Sequence, residues 1–355
     1  MKFEIISFEF QGSARRCFQL AGLIESMGGM LTGISFLPEG TGSAGEKIAG
    51  QLRGNDLLVV YGSSVQFPSL REVAETQKAP SQAERTVLSP YRGSLVLMVH
   101  PESTDGEVRE ALESRLQGMR RPVLGICRLD SAGMEEILSE SLPQGLMADL
   151  RVIHPLPMVS MVFAPPGSMA SDMDSAAERL GSYLFCREYR SLSSVVLQLL
   201  REKDMTLAVA ESITGGLLAS ELIAVPGASR VLMEGFITYS NEAKVETLDI
   251  DPELIRSSGA VSAGVAVRMA SEAASISSAD YALSTTGIAG PSGATPEKDV
   301  GLCYIGLRTP EGIYCAARQF SGNREEVRYR TVVSALDILR LSLSGYDDRL
   351  KEYKA

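Results

Sequence analysis

Short apolar runs alternate with longer amphipathic runs through the first half of the chain. Short apolar runs predict buried strands, and apolar residues spaced three and four positions apart predict helices. The predicted strands are 2–8, 30–37, 56–61, 94–100, 122–128 and 158–164. The predicted helices are 14–27, 44–52, 106–119, 131–142 and 171–183. This alternation favours a doubly wound α/β domain, to which we assign residues 1–187.

The apolar pattern is interrupted at residues 187–191 and then resumes, which predicts a linker before a second domain at 191–345. Its predicted strands are 206–210, 231–238 and 280–286, followed by a hairpin at 301–320 that turns on Pro310-Glu311-Gly312. Its predicted helices are 191–203, 215–224, 241–248, 252–257, 262–277 and 323–343. We expect a mixed α/β domain with an antiparallel hairpin at one edge of its sheet.

Composition limits the classes of partner. At 355 residues with 45% hydrophobic content, the chain is long enough to bury two cores. The net charge of −10 argues against binding to nucleic acid or to an anionic membrane, so a small-molecule ligand is expected. The chain starts without the pattern of a signal peptide and contains no run of 18 apolar residues, which predicts a cytoplasmic protein.

Cysteine and histidine usage narrows the chemistry. The five cysteines lack CxxC spacing, so we expect small buried apolar residues and no metal site. Both histidines, His100 and His154, lie in the first half, which leaves a nucleophile in the second half without a local histidine base. The lysines that could serve instead are Lys203, Lys244 and Lys298, because burial can lower the pKa of an amine.

The segment Val-Ala-Glu-Ser-Ile-Thr-Gly-Gly at 209–216 lies between a predicted strand and a predicted helix. Such junctions carry the functional residues of many α/β proteins. Ser212 and Thr214 fall in the turn, where backbone amides at the start of the helix can face an anion or an oxyanion.

A second strand end supplies more polar groups. Phe-Ile-Thr-Tyr-Ser-Asn-Glu-Ala-Lys at 236–244 brings Tyr239 to the end of a strand and places Asn241 as an N-cap candidate. Lys244 lies one turn into the following helix. A capped helix with a solvated lysine explains this segment equally well.

Two further segments are candidates for ligand binding. The strand 280–286 ends in hydroxyls and continues into a Gly/Pro-rich loop at 287–298, which either approaches a ligand closely or is a surface turn. Ser321 or Asn323 can cap the last helix, and Arg324 and Arg328 share one of its faces. That arginine pair suits a phosphate, although surface pairing with Glu325 or another carboxylate is the simpler interpretation for an isolated pair.

These four segments, in this order and spacing, resemble the CinA C-terminal family, over about residues 191–343. The matching runs read AESITGG, GFITYSNEAK, STTGIAGPSGATPEK and FSGNREEVR. Ile213 stands where the family usually has cysteine, and Asn323 where it commonly has aspartate; neither change removes a catalytic group.

The resemblance implies a nicotinamide-nucleotide amidohydrolase, which converts nicotinamide mononucleotide to nicotinate mononucleotide and ammonia without a cofactor. It implies Ser212 as nucleophile, Lys244 as base or proton shuttle, and Tyr239 as a hydroxyl that orients the lysine or protonates ammonia. The amides of Thr214, Gly215 and Gly216 would form the oxyanion hole. Asn241 would contact the carboxamide or only cap its helix. Thr286, Gly287 and Gly290 would lie over the ribose or base. Arg324 and Arg328 would bind the phosphate.

In two-domain members of this family the first domain resembles a molybdopterin-binding fold with nucleotide pyrophosphatase activity. The corresponding regions here, 8–14 and 61–68, lack its glycine-rich and acidic motifs. The resemblance therefore implies a degenerate first domain with a scaffold or dimerisation role, and a homodimer is expected. Two alternatives stay open: a nucleotide-binding regulatory protein without turnover, and an amidase for a different carboxamide.

Overall fold

The computed structural model describes residues 2–8, 13–27, 30–37, 57–61, 86–91, 94–99, 103–116, 121–165 and 167–346. Three β-sheets with flanking helices follow one another along these residues, so the predicted α/β class is confirmed. No helix in the described ranges is both long and apolar enough to cross a lipid bilayer.

The first sheet is largely parallel. It has the order β2-β1-β3-β5-β4, in which β4 is the antiparallel edge strand. Its elements are β1 (Lys2–Phe8), α1 (Ser13–Ser26), β2 (Met30–Leu37), β3 (Leu57–Tyr61), β4 (Thr86–Tyr91), β5 (Ser94–Val99) and α2 (Asp105–Leu116). Phe3, Ile5 and Val59 of the strands pack against Leu20 and Leu23 of α1. The helix predicted at 44–52, and most of the two motif regions at 8–14 and 61–68, lie outside the described residues.

A second, antiparallel sheet follows, with the order β7-β8-β6-β9. Its elements are β6 (Val123–Cys127), α3 (Ser131–Ser141), α4 (Gln144–Ala148), β7 (Arg151–Leu156), β8 (Val159–Phe163), α5 (Asp174–Leu180) and β9 (Leu184–Cys186). We expected β6 and β8 to belong to the doubly wound sheet, and this expectation was wrong. Periodicity identifies a strand but not its neighbours, and β7, which pairs with β8 as a hairpin, was not predicted.

The third sheet has the order β11-β10-β12-β13-β14. Its strands are β10 (Leu207–Glu211), β11 (Leu232–Ile237), β12 (Tyr281–Gly287), β13 (Leu302–Thr309) and β14 (Gly312–Gln319). Its helices are α6 (Leu192–Glu202), α7 (Leu217–Ile223), α8 (Asn241–Leu248), α9 (Pro252–Ser258), α10 (Ala263–Ser277) and α11 (Arg324–Leu343). All were predicted within about two residues. Strand β10 runs parallel to β11 and β12, while β13 and β14 form the predicted antiparallel edge.

Side chains of β10 alternate between two cores because successive strand residues point to opposite faces. Ala208 and Ala210 pack towards α10 through Val265 and Met269. Leu207 and Val209 pack in the opposite cluster, whose helical members include Val196, Leu218 and Leu336 of α6, α7 and α11.

The second and third sheets share a hydrophobic core. Val159, Met161 and Phe163 of β8 belong to the same buried cluster as Val332 and Leu336 of α11. Core packing is therefore continuous across residues 187–191, the linker predicted from sequence.

A buried ionic group reinforces this contact. The fully buried Asp337 of α11 pairs with Arg128, which follows β6, and with Arg340 one turn later. Arg340 also donates to the carbonyl oxygens of Ser182 (2.6 Å) and Leu184 (3.3 Å), which fastens α11 to the end of the second sheet.

Candidate active site

Three parallel strands end at one edge of the third sheet and bring the predicted polar residues together. Ser212 follows β10, and its amide donates to the carbonyl of Thr285 in β12 (2.9 Å). Thr238 follows β11, and its amide donates to the carbonyl of Glu211 (2.9 Å). The carboxyl ends of parallel strands are the usual position of sites in open α/β sheets.

Ser212 and Lys244 are in direct contact at this edge. The Lys244 ammonium lies 3.0 Å from the Ser212 hydroxyl oxygen. Lys244 is 1% exposed although it lies on the short helix α8, whose N-cap is Ser240. The interpretation of Lys244 as a solvated surface residue is therefore wrong.

Backbone carbonyls surround the lysine. Its Nζ donates to the carbonyl oxygens of Thr238 (2.8 Å), Tyr239 (3.3 Å) and Ser240 (3.4 Å). A neutral amine retains two N–H groups for such carbonyls and one lone pair for the Ser212 hydroxyl. The arrangement thus suits an amine that accepts the serine proton and is held as an ammonium afterwards.

Burial lowers the pKa of Lys244 from 10.5 to about 8, and the nearby Glu242 carboxylate opposes part of that change. Desolvation disfavours the charged form of an amine, so a larger fraction of the lysine is neutral at physiological pH. A base with a pKa near the working pH is the most effective proton acceptor.

The hydroxyl of Tyr239 does not contact Lys244, although the predicted role was to orient this lysine or to protonate ammonia. Its side chain is 63% exposed, and its hydroxyl accepts a hydrogen bond from Nη2 of Arg324 (3.2 Å). The backbone carbonyl of Tyr239, and not its hydroxyl, contacts Lys244.

Asn241 is the first residue of α8 and not its cap. The cap is Ser240, whose hydroxyl accepts from the amide of Ala243 (3.0 Å). The capping interpretation of Asn241 was therefore wrong. Its side chain is exposed at the start of α8, and a contact with the carboxamide stays a prediction.

The turn after Ser212 depends on two glycines and a carboxylate. Gly215 and Gly216 have φ of +55° and +89°, a region that glycine enters without strain. The buried Glu211 side chain accepts the amide of Gly216 (3.0 Å), so that amide is not free for an oxyanion. This corrects the expectation for Gly216.

The amides of Thr214 and Gly215, and that of Ile213, have no hydrogen-bond acceptor among the described residues. They are the remaining donors beside Ser212. Glu211 itself was not predicted as a site residue, although an acidic side chain at the end of an apolar strand directly before Ser212 was a readable signal.

The residues of the glycine-rich loop have roles in packing. Thr286 is 1% exposed and its hydroxyl donates to the carbonyl of Ala260 (2.9 Å). A Cβ on Gly287 would lie 2.7 Å from the carbonyl oxygen of Leu302, so this position needs glycine for the close approach of β12 to the start of β13. Contact of Thr286, Gly287 or Gly290 with a ligand stays a prediction.

Arg324 and Arg328 reach the same edge from the first turns of α11. Asn323 caps this helix and forms a capping box with Glu326, as one of the two predicted caps. Arg324 donates to the carbonyl of Gly290 (2.8 Å), and Arg328 donates to the carbonyl of Thr214 (2.6 Å). Within the described ranges neither guanidinium pairs with a carboxylate, contrary to the simpler surface interpretation.

The other candidate lysines lie elsewhere. Lys298 donates to the carbonyls of Ser258 (2.7 Å) and Val261 (2.6 Å) and holds the connection between α9 and α10. Lys203 is the C-cap of α6 and is exposed.

The five cysteines are free thiols, and no group of three or more His, Cys, Asp or Glu side chains in the described ranges could hold a metal ion.

Comparison with known proteins identifies the unit that carries this site. Residues 189–343 match the model of the CinA C-terminal domain. The competence/damage inducible protein CihA of Agrobacterium tumefaciens, known from a crystal structure, is 35% identical over 43% of this chain and 93% of its own, with a TM-score of 0.42. The chain belongs to the CinA family.

Other relatives of the CinA family extend the match towards the N-terminus. The CinA-like protein of Citrifermentans bemidjiense is 39% identical over 227 residues, which cover 63% of this chain and 55% of that protein. Fewer than 227 residues follow residue 189, so this similarity reaches into the second sheet. The CinA-like protein of Kosmotoga olearia is 44% identical over 50% of this chain and 43% of its own. The chain thus spans about half the length of the curated relatives it matches.

Proposed function

We propose that the CinA domain hydrolyses the carboxamide of nicotinamide mononucleotide to nicotinate mononucleotide and ammonia. The observation that carries this proposal is the 3.0 Å contact between Lys244 Nζ and Ser212 Oγ, with the amine buried and its pKa lowered to about 8. A serine next to a desolvated lysine is suited to nucleophilic attack on an amide carbon.

In the first half of the proposed reaction, neutral Lys244 takes the proton of the Ser212 hydroxyl as the oxygen attacks the carboxamide carbon. The tetrahedral oxyanion is stabilised by the free amides of residues 213–215. The C–N bond then breaks, the Lys244 ammonium returns its proton to the departing nitrogen, and ammonia leaves an ester on Ser212.

In the second half, water attacks the ester carbon while Lys244 again accepts a proton. The second tetrahedral intermediate releases nicotinate mononucleotide, and Ser212 regains its proton from Lys244. The carbonyls of Thr238 and Tyr239, at 2.8 and 3.3 Å, are placed to hold the ammonium during both steps.

The nucleotide part of the proposal rests on the two arginines. Arg324 and Arg328 each use part of their guanidinium on a backbone carbonyl of this edge, Gly290 and Thr214 respectively. A guanidinium has five N–H groups, so both retain donors for a phosphate.

The test is ammonia release from nicotinamide mononucleotide by the full chain in the presence of a metal chelator. Ser212→Ala should lower kcat by at least about 1,000-fold, because the nucleophile is gone, while the dissociation constant of the mononucleotide stays similar. The matched control is Ser220→Ala, which removes an exposed hydroxyl from α7 and should keep full activity.

Three outcomes separate the alternatives. Full activity in Ser212→Ala contradicts the nucleophile assignment. A wild-type chain that binds the mononucleotide without releasing ammonia points to the regulatory alternative. Ammonia release only from other carboxamides contradicts the substrate assignment and leaves the nucleophile in place.

A further inference from the structure

The Glu211 carboxylate is fully buried at the end of β10 and is bonded by three backbone amides. Its Oε2 accepts from the amides of Gly216 and Leu218, both at 3.0 Å, and its Oε1 accepts from the amide of Ala219 at 2.8 Å. A buried charge is tolerated only when it is compensated, and three charge-assisted hydrogen bonds to both oxygens provide that compensation.

These bonds decide which amides face a ligand. The first amides of a helix have no partner inside the helix and commonly bind anions. Here the carboxylate of Glu211 occupies that position at the start of α7, so a substrate phosphate or an oxyanion has no place there. The amides without an acceptor among the described residues are those of residues 213–215, which directly follow Ser212.

The backbone of Glu211 supports the other half of the site. Its carbonyl accepts the amide of Thr238 (2.9 Å), and the carbonyl of Thr238 accepts from Lys244 (2.8 Å). The residue next to Glu211 is Ser212 itself. One residue therefore joins the turn that carries the nucleophile to the carbonyl group that holds the base.

We propose that Glu211 is a positioning residue for the Ser212 reaction: its carboxylate caps α7 and so fixes the turn that presents the amides of residues 213–215 to the oxyanion. This inference rests on the proposed amide hydrolysis. Glu211 does not touch the substrate and does not transfer a proton.

The first test is Glu211→Gln in the full chain. Glutamine has the same shape but one oxygen fewer, so an NH₂ group faces a backbone amide and the turn loses an acceptor. We expect kcat for the mononucleotide to fall at least about 10-fold with a smaller change in KM, because Arg324 is bonded to Gly290 and not to this turn. The rise of activity with pH near 8 should be kept, because Lys244 stays buried.

The matched control is Asp337→Asn, which alters another fully buried carboxylate in the interface with the second sheet, away from the strand ends. It should lower thermal stability and leave kcat of the folded protein unchanged. If Asp337→Asn reduces kcat as much as Glu211→Gln, or if Glu211→Gln keeps wild-type kcat, the positioning role is contradicted.

A second measurement does not need the proposed substrate. A fluorophosphonate probe reacts with an activated serine hydroxyl by forming an O–P bond and releasing fluoride, and it should label Ser212 at least about 10-fold more slowly in Glu211→Gln. Amide hydrogen exchange should accelerate at Gly216, Leu218 and Ala219 only. A wild-type chain that is labelled at Ser212 but releases no ammonia contradicts the proposed function alone, whereas unchanged labelling and exchange in Glu211→Gln contradict the role of Glu211.

Discussion

At the scale of single residues, the candidate site is built around a lysine that is buried next to a serine hydroxyl. Lys244 is 1% exposed and contacts Ser212 and three backbone carbonyls, so it lies in a desolvated and well-defined position. The lowered pKa of Lys244 therefore results from burial and not from a neighbouring charge. The exposed Glu242, in the first turn of α8, acts in the opposite direction and raises the pKa of Lys244.

The pH dependence follows from the lowered pKa of Lys244. Only the neutral amine accepts the Ser212 proton, so kcat/KM for the mononucleotide should rise with pH and level off above about 8. Because the Glu242 carboxylate raises the pKa of Lys244, Glu242→Gln should move this inflection to lower pH. Initial rates between pH 6 and 10 measure both effects; a flat profile, or an upward shift in Glu242→Gln, would contradict the assignment of Lys244 as base.

At the scale of elements, helix α11 belongs to the site and to the core. Its first turns carry Arg324 and Arg328, which bind carbonyls at the strand ends, and its later turns carry Asp337 in the contact with the second sheet. The capping box of Asn323 and Glu326 fixes where the helix starts. The position of both guanidiniums is thus determined by a rigid helix rather than by a loop.

Arg328 tests whether this helix end binds a phosphate. In the wild-type chain, kcat/KM should be much lower for nicotinamide riboside than for the mononucleotide, because the riboside lacks the phosphate. Arg328→Ala should lower kcat/KM for the mononucleotide about 10- to 100-fold and that for the riboside less. Both substrates lose the bond between Arg328 and the Thr214 carbonyl, but only the mononucleotide also loses a hydrogen bond to its phosphate.

The control is Arg256→Ala, which removes an exposed arginine of α9 that pairs with Glu253. This variant should change kcat/KM for neither the mononucleotide nor the riboside. Equal losses for mononucleotide and riboside in Arg328→Ala would instead favour an amidase for a different carboxamide.

At the scale of the whole molecule, the second sheet is a structural partner of the CinA domain. Its β8 residues share a core with α11, and the carbonyls of Ser182 and Leu184 accept from the buried Arg340. A division of the chain at residue 189 would uncover this apolar face and remove the two carbonyl partners of Arg340. The similarity to the Citrifermentans protein, which reaches into this sheet, agrees with a unit larger than the CinA domain.

Phe163→Ala in the full chain tests this coupling. Phe163 is fully buried in the shared core, so its truncation should lower the free energy of unfolding by about 3–5 kcal/mol. Loss of ammonia release and loss of structure in the second sheet should coincide in one denaturant transition, displaced to lower denaturant from that of the wild type. Two separate transitions, with only the second sheet destabilised, would contradict the shared core.

The local pattern of the sequence was sufficient for the elements of the second half, and it singled out Ser212, Lys244, Arg324 and Arg328, which the structure brings to one edge of the third sheet. The strand before Ser212, the short helix that carries Lys244 and the capped helix with both arginines each have a signal within a few residues, because hydrophobic spacing and caps act locally. Helix 44–52 and the first-domain motif regions stay predictions.

The tertiary structure decided which groups meet. The contact of Lys244 with Ser212, the exposure of Tyr239 and the three amides bound by Glu211 depend on which strands pair and how deeply each residue is buried. The placement of β6 and β8 in a separate sheet likewise depends on which strands pair. Strand partners and burial arise from contacts between residues far apart in the chain, so no local pattern contains them, whereas helices, caps and turns are set by neighbours and are visible in the sequence alone.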